Sequence, residues 1–197
     1  MASSGSISSF SQSLQRFLDR AHRIAGPAAL PVTFAAIGGG WLADLAQPVV
    51  VPCVTLYLHR VTPSAHARNS RTSRPPGALS VDLHYLLTVW AADAEVEQQL
   101  LGWAMEQLHL HAAFDSSVLS PDGGWKADEA VSIFPVDMGT DEMARIFETV
   151  RRPLRLSWPF VARVVRIETQ DAESEWPPVV ALREDFSQFR GRERTNE

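Results

Sequence analysis

Apolar and polar residues alternate most regularly between Ser80 and Ala92, where Val81, Leu83, Tyr85, Leu87 and Val89 share one face. Successive side chains of a strand point to opposite sides, so this period of two predicts a strand with one face in the core. At about 3.4 Å per residue it would span well over 30 Å, long enough to predict a bend or bulge within it. The opposite face carries Asp82, His84, Leu86, Thr88 and Trp90, a mixture that predicts solvent or a partner there. Val54 to Val61 alternates in the same way, with Val54, Leu56 and Leu58 opposed to Thr55, Tyr57 and His59. Shorter apolar runs at Val32–Ile37 and Val131–Val136 predict further strands, and Leu156–Ile167 a last one. Pro159 lacks an amide donor, which places it at a strand start or edge.

Helical spacing takes over elsewhere. Phe10, Leu14, Phe17, Leu18, Ala21 and Ile24 form one stripe that ends before Gly26-Pro27, a stop signal. Val96, Leu100, Trp103, Ala104 and Leu108 form a second, with Asp93 as N-cap and Glu95 and Glu97 in the first turn, where the helix dipole favours acids. Met143, Ile146, Phe147 and Val150 form a third, predicted to be capped by Thr140, with Arg151 and Arg152 in its last turn and Pro153 ending it. Together these predict an α/β fold of the α+β type: a mostly antiparallel sheet of about four strands with two to three packing helices. The divisions expected are an N-terminal amphipathic helix (1–25), one α/β domain (26–168) and a C-terminal arm (169–197).

The 197 residues are 45% hydrophobic and 21% charged, ordinary values for a globular chain and enough for one core. A net charge of -5 gives no general pull toward nucleic acid or an anionic membrane. The uncharged stretch Ile24–Ala43 is broken by Gly26, Pro27, Pro31 and Gly38-Gly39-Gly40, so it is no membrane span. The single cysteine, Cys53, cannot form an internal disulfide or a thiolate zinc site, which fits a reducing, cytoplasmic compartment.

Candidate chemistry is sparse. Gly38-Gly39-Gly40-Trp41-Leu42-Ala43 matches the letters of the dinucleotide fingerprint, but Pro48 stops any following helix and no acid occurs between Asp44 and Asp82 to hold a ribose. A flexible turn is the expected reading. His109 and His111 lie two apart on a helix and point about 200° from each other, so they cannot share a metal. Asp82 and His84 share a strand face without a third ligand. No catalytic, cofactor-binding or metal-binding residue is therefore assigned.

One local patch stands out. Arg60, Arg68, Arg71 and Arg74, with His59 and His66, lie in a stretch free of acid that becomes a long proline- and serine-rich loop from Thr62 to Gly77. A protein interface of guanidinium forks and a merely solvated loop both fit it, while the net charge opposes nucleic acid.

The blocks Val54-Thr55-Leu56-Tyr57-Leu58-His59-Arg60-Val61-Thr62-Pro63, Arg68-Asn69 and Arg74-Pro75-Pro76 lead into Asp82-Leu83-His84-Tyr85-Leu86-Leu87-Thr88-Val89-Trp90-Ala91. With Gln99-Leu100-Leu101-Gly102-Trp103-Ala104 and Pro153–Ile167, they make residues 30 to 168 resemble the cap or tail-terminator family of phage-tail-like contractile injection systems, of the antifeeding-prophage and virulence-cassette type. The resemblance implies a structural protein, not an enzyme, that closes the distal end of an inner tube and its sheath as a hexameric ring and stops polymerisation. Its implied partners are itself, the inner tube protein and the sheath protein, in an assembled cytoplasmic particle, with no nucleic acid and no membrane insertion. A head-to-tail ring needs two different surfaces per subunit. The candidates are Arg60, Arg68, Asn69, Arg71, Arg74 and Trp90, with Trp176, Val179 and Val180 in the arm, where Val179–Leu182 is apolar enough to add as a strand to a neighbour's sheet. The rival expectation is a monomeric adaptor domain linking the particle to another component.

Overall fold

A computed structural model describes residues 5–27, 31–44, 49–65 and 78–168. In chain order its elements are α1 (Ser6–Ala25), β1 (Thr33–Ile37), α2 (Gly39–Ala43), β2 (Cys53–Pro63), β3 (Ala78–Trp90), α3 (Ala94–Leu110), β4 (Ala113–Phe114), β5 (Val131–Pro135), α4 (Thr140–Thr149) and β6 (Ser157–Glu168). The strands form one sheet in the order β1-β2-β3-β6-β5-β4, parallel between β1 and β2 and antiparallel elsewhere. The fold is of the expected class. The sheet has six strands rather than about four: the short apolar runs at β1 and β5 both join it, and β4 is too short to show a period.

The alternation in β3 sorts two cores. Val81, Leu83, Tyr85, Leu87 and Val89 join Phe10, Leu14 and Leu18 of α1 and Leu100, Trp103, Ala104 and Leu108 of α3 in the main cluster. Tyr85 is fully buried and stacks on Phe160 with ring centroids 5.3 Å apart, and its hydroxyl pairs with Ser11 Oγ at 2.7 Å. Leu86 and Trp90, on the other face, pack with Leu42 of α2, Phe147 of α4 and Val150 just after it in a second cluster. The mixed face of β3 is thus largely closed by the chain itself: Asp82, Leu86, Thr88 and Trp90 are all buried. The expectation of solvent or a partner failed there because α2 and α4, distant in sequence, supply the lid.

Local signals account for the ends. Asp93 caps α3 by accepting from the Val96 amide at 2.9 Å. Thr140 is the first helical residue of α4, not its cap; Gly139 holds that position. Arg151 and Arg152 follow α4 rather than closing its last turn, and Arg151 takes a left-handed φ of 55°. Instead of a flexible turn, the glycine run opens the short α2 after Gly38. Pro159 lies at the start of β6: its carbonyl accepts from Val136 N at 3.3 Å, just beyond the end of β5. Strand N–H and C=O groups point the same way, so its missing donor faces a place where no ladder continues.

The irregularity expected in the long strands is found twice. Pairing of β2 with β3 shifts between Leu58 and Arg60, leaving His59 as the extra residue. Pairing of β3 with β6 shifts between Val81 and Leu83.

Candidate assembly surface

A bulge reverses which residues face which way. Before His59, even-numbered residues of β2 meet the main core; after it Val61 and Pro63 take that side, opposite Leu83 and Val81. Arg60 and Thr62 therefore join the second face, opposite His84 and Asp82. Without the extra residue, Arg60 would be directed at the apolar core.

This places a polar group on the end of the sheet away from the second cluster. Thr62 Oγ1 pairs with His84 Nε2 at 3.0 Å. Asp82, although buried, forms an ion pair with Arg163 Nε at 3.1 Å, and the Arg163 guanidinium lies 5.8 Å from the Phe134 ring centroid. The rings of His59 and His84 are 6.2 Å apart, edge to face. Burial pushes His59 below the ordinary histidine range, and His84 and Arg60 push it further, against an opposing pull from Glu142. His84 is lowered too, first by burial, then by Arg60 and Arg163, with Asp82 and Glu142 opposing. Both shifts favour the neutral ring.

On the opposite face of the same sheet end, Val81 and Val165 are buried in the main core, while Val61 and Leu79 are 44% and 55% exposed. Two of the stretches outside the described residues leave from here: Ala78, where β3 begins, pairs with Glu168, where β6 ends, and Pro63 pairs with Val81. Residues 66–77 and 169–197 are thus rooted at one end of the sheet.

Of the predicted interface residues, Arg60 is exposed at this end. Trp90 is elsewhere and buried; its indole N–H donates to Thr55 Oγ1 at 2.9 Å and its ring meets Trp41 edge to face at 6.3 Å. That burial corrects its place among surface candidates: the ring is consumed by the second cluster. Arg68, Asn69, Arg71, Arg74, Trp176, Val179 and Val180 lie outside the described residues, as does the C-terminal arm. Sequence reading missed Arg163, whose partner Asp82 is joined to it only by the β3–β6 register.

Among the described residues no three His, Cys, Asp or Glu side chains gather as metal ligands. Asp82 and His84 are instead engaged by Arg163 and Thr62. Cys53 is buried, which raises its thiol pKa to about 11 and keeps it protonated at neutral pH. No described helix is long and apolar enough to cross a membrane.

Residues 10–181 match the model of the Pvc16 N-terminal domain. The chain belongs to that family. Two solved structures share the fold of this Pvc16 N-terminal domain protein. One is the sheath/tube terminator of PVC, an extracellular contractile injection system, in its extended state: 17% identity, 94% of this chain and 64% of that chain covered, TM-score 0.53. The other is the tube-terminating cap of the anti-feeding prophage: 15% identity, 90% of this chain and 59% of that chain covered, TM-score 0.51. This Pvc16 N-terminal domain protein therefore spans about three-fifths of the length of the solved chains it matches. No curated protein matches it.

Proposed function

We propose that this protein is a non-catalytic cap: a hexameric ring that closes the distal end of the inner tube and sheath of a contractile injection particle and stops their polymerisation. The observation that carries this reading is the fold it shares with two terminators of such particles. The arrangement of the chain supports it. A terminator must bind copies of itself and a filament end at once, and here Arg60, an exposed apolar strip and the roots of two further segments converge on one end of a rigid sheet. A head-to-tail ring needs two unlike surfaces on each subunit, and the two faces of that sheet end are unlike, one polar and cationic, the other apolar.

On this reading the partners are other copies of the chain, the inner tube protein and the sheath protein, inside an assembled cytoplasmic particle. Removal of the gene is the decisive experiment. Particles lacking the protein are expected to lose their uniform length and defined end in electron micrographs; particles of normal length with a normal end would defeat the cap function. Light scattering on the isolated ring is expected to give about 131 kDa, six copies of 21.8 kDa. A mass of one chain in complexes with the tube would favour a monomeric adaptor instead.

A further inference from the structure

β6 is paired on both sides only in its middle. Ser132 of β5 meets Arg163, and β5 pairs back from there to Phe160. Beyond Arg163, Val165 to Glu168 pair with β3 on one side, and among the described residues no strand pairs on the other. An open groove there is lined by Val164 and Arg166 of β6, Phe134 of β5, and Trp125, Asp128 and Glu129 from the chain that leads into β5. Unpaired strand amides and carbonyls are a template for another strand, and native edges are usually blunted by a proline, a covering element or brevity. The opposite margins of the sheet are so treated: β4 is two residues long, β5 ends at Pro135, and the Ala36 amide at the β1 edge is taken by Gln15 Oε1 at 3.1 Å.

We infer that the β6 edge at Val164–Glu168 accepts Val179–Leu182 of a second copy of this chain as an added strand. The inference rests on the ring reading above. Four features of the chain point to that occupant. Val179-Val180-Ala181-Leu182 is apolar and rich in β-branched residues, and it matches the open edge in length. Pro177-Pro178 precede it, and prolines are tolerated at a strand start. Its N-terminal flank complements the groove in charge: Asp171, Glu173 and Glu175 precede it, and Arg163 and Arg166 are among the residues that line the groove. The family match extends past β6 to Ala181 and so takes in three of the four residues of the run. A head-to-tail ring joins two unlike surfaces of neighbouring copies, and that requirement favours a neighbour over the parent sheet.

The test uses the full chain in assembled particles. Val164→Cys and Val180→Cys are made separately and expressed together with the other particle components; Cys53, buried and protonated, leaves the new thiols to react with each other. Mild oxidation is expected to give a disulfide-linked pair of about 44 kDa, twice 21.8 kDa, on a non-reducing gel. Val180→Pro, which removes an amide donor from the incoming strand, is expected to lower the yield of rings at least tenfold while the melting temperature of the single chain holds. Two disulfide results overturn the inference: in a chain that carries both substitutions, a disulfide formed only within that chain, which makes the occupant the chain's own arm, or no disulfide of either kind. Rings that form normally from Val180→Pro overturn it while leaving the cap reading intact. Particles that end normally without the protein defeat the cap reading, whatever disulfide is seen.

Discussion

Ser9 and Ser13 stand one turn apart on α1 and fasten it to a turn of chain more than a hundred residues away. Ser9 Oγ donates to the Ser120 carbonyl at 3.0 Å, Ser13 Oγ accepts from the Ser120 amide at 2.7 Å, and the Trp125 indole donates to Ser9 Oγ at 3.2 Å. Gly123 is needed for the approach, since a Cβ there would lie 2.2 Å from Trp125 Nε1 and 2.7 Å from Ser9 Oγ. The apolar stripe of α1 was legible from the sequence; its buried serines were not, because their partners lie 107 and 111 positions along the chain. Ser13→Ala leaves the buried Ser120 amide without an acceptor, so urea denaturation is expected to show a loss of about 1–3 kcal/mol. The histidine pair sets a pH dependence of definite sign. His59 and His84 are both lowered when folded, so on acidification below the ordinary value of 6.5 the unfolded chain binds protons that the folded chain refuses. Stability is therefore full above about pH 6.5 and falls as pH drops toward the folded values. The melting temperature is expected to drop between about pH 7.5 and 5, and less steeply in the variant carrying both His59→Gln and His84→Gln. Equal slopes in the two proteins would exclude these rings as the cause.

The period of two was clear in β2 and β3, and the cap and stripe of α3 were equally clear, because each is written in contiguous residues. What was not legible is how elements cover one another. The second face of β3 looked too polar to bury, yet Thr88 Oγ1 pairs with Ser157 Oγ at 2.9 Å and Thr55 Oγ1 accepts the Trp90 indole, so the polar positions are satisfied inside the sheet and the apolar ones are sealed by Leu42 and Phe147. Arg152 locks the lid from outside, its Nε and Nη2 donating to the Leu42 and Asp44 carbonyls at 3.0 and 2.7 Å. The bulge at His59 was hidden for a related reason: an extra residue has no composition of its own and shows only when the partner strand is known. Trp90 is thus a core residue, and Trp90→Ala is expected to cost about 3–5 kcal/mol of folding stability, read by denaturant titration. A loss below about 1 kcal/mol, with ring formation impaired, would return Trp90 to the surface.

At the scale of the whole molecule, stability and assembly are carried by different parts of the chain. The described core closes from α1 through β6, whereas the arginines of 66–77 lie in a stretch with neither an apolar run nor an acid to pair with inside the same segment. Arginine is almost never fully buried without a partner, so these side chains are not expected to hold the fold together. Reversing two of them separates the two roles. Arg68→Glu with Arg74→Glu changes the net charge from -5 to -9, two units for each residue, and turns a cationic segment anionic at the sheet end that also bears Arg60. Opposite charges brought together across an interface steer association and fix its register, and like charges juxtaposed there cost several kcal/mol. The double variant is therefore expected to melt within about 2 °C of the parent. It is also expected to yield few correctly ended particles, counted in micrographs. Raising the salt during assembly is expected to weaken the parent's capping while doing little more to the variant, because screening removes the attraction that the substitution has already removed. Particles of normal length and number from the double variant would assign capping to the strip at Val61 and Leu79 and to the arm, and leave the arginines as a solvated loop.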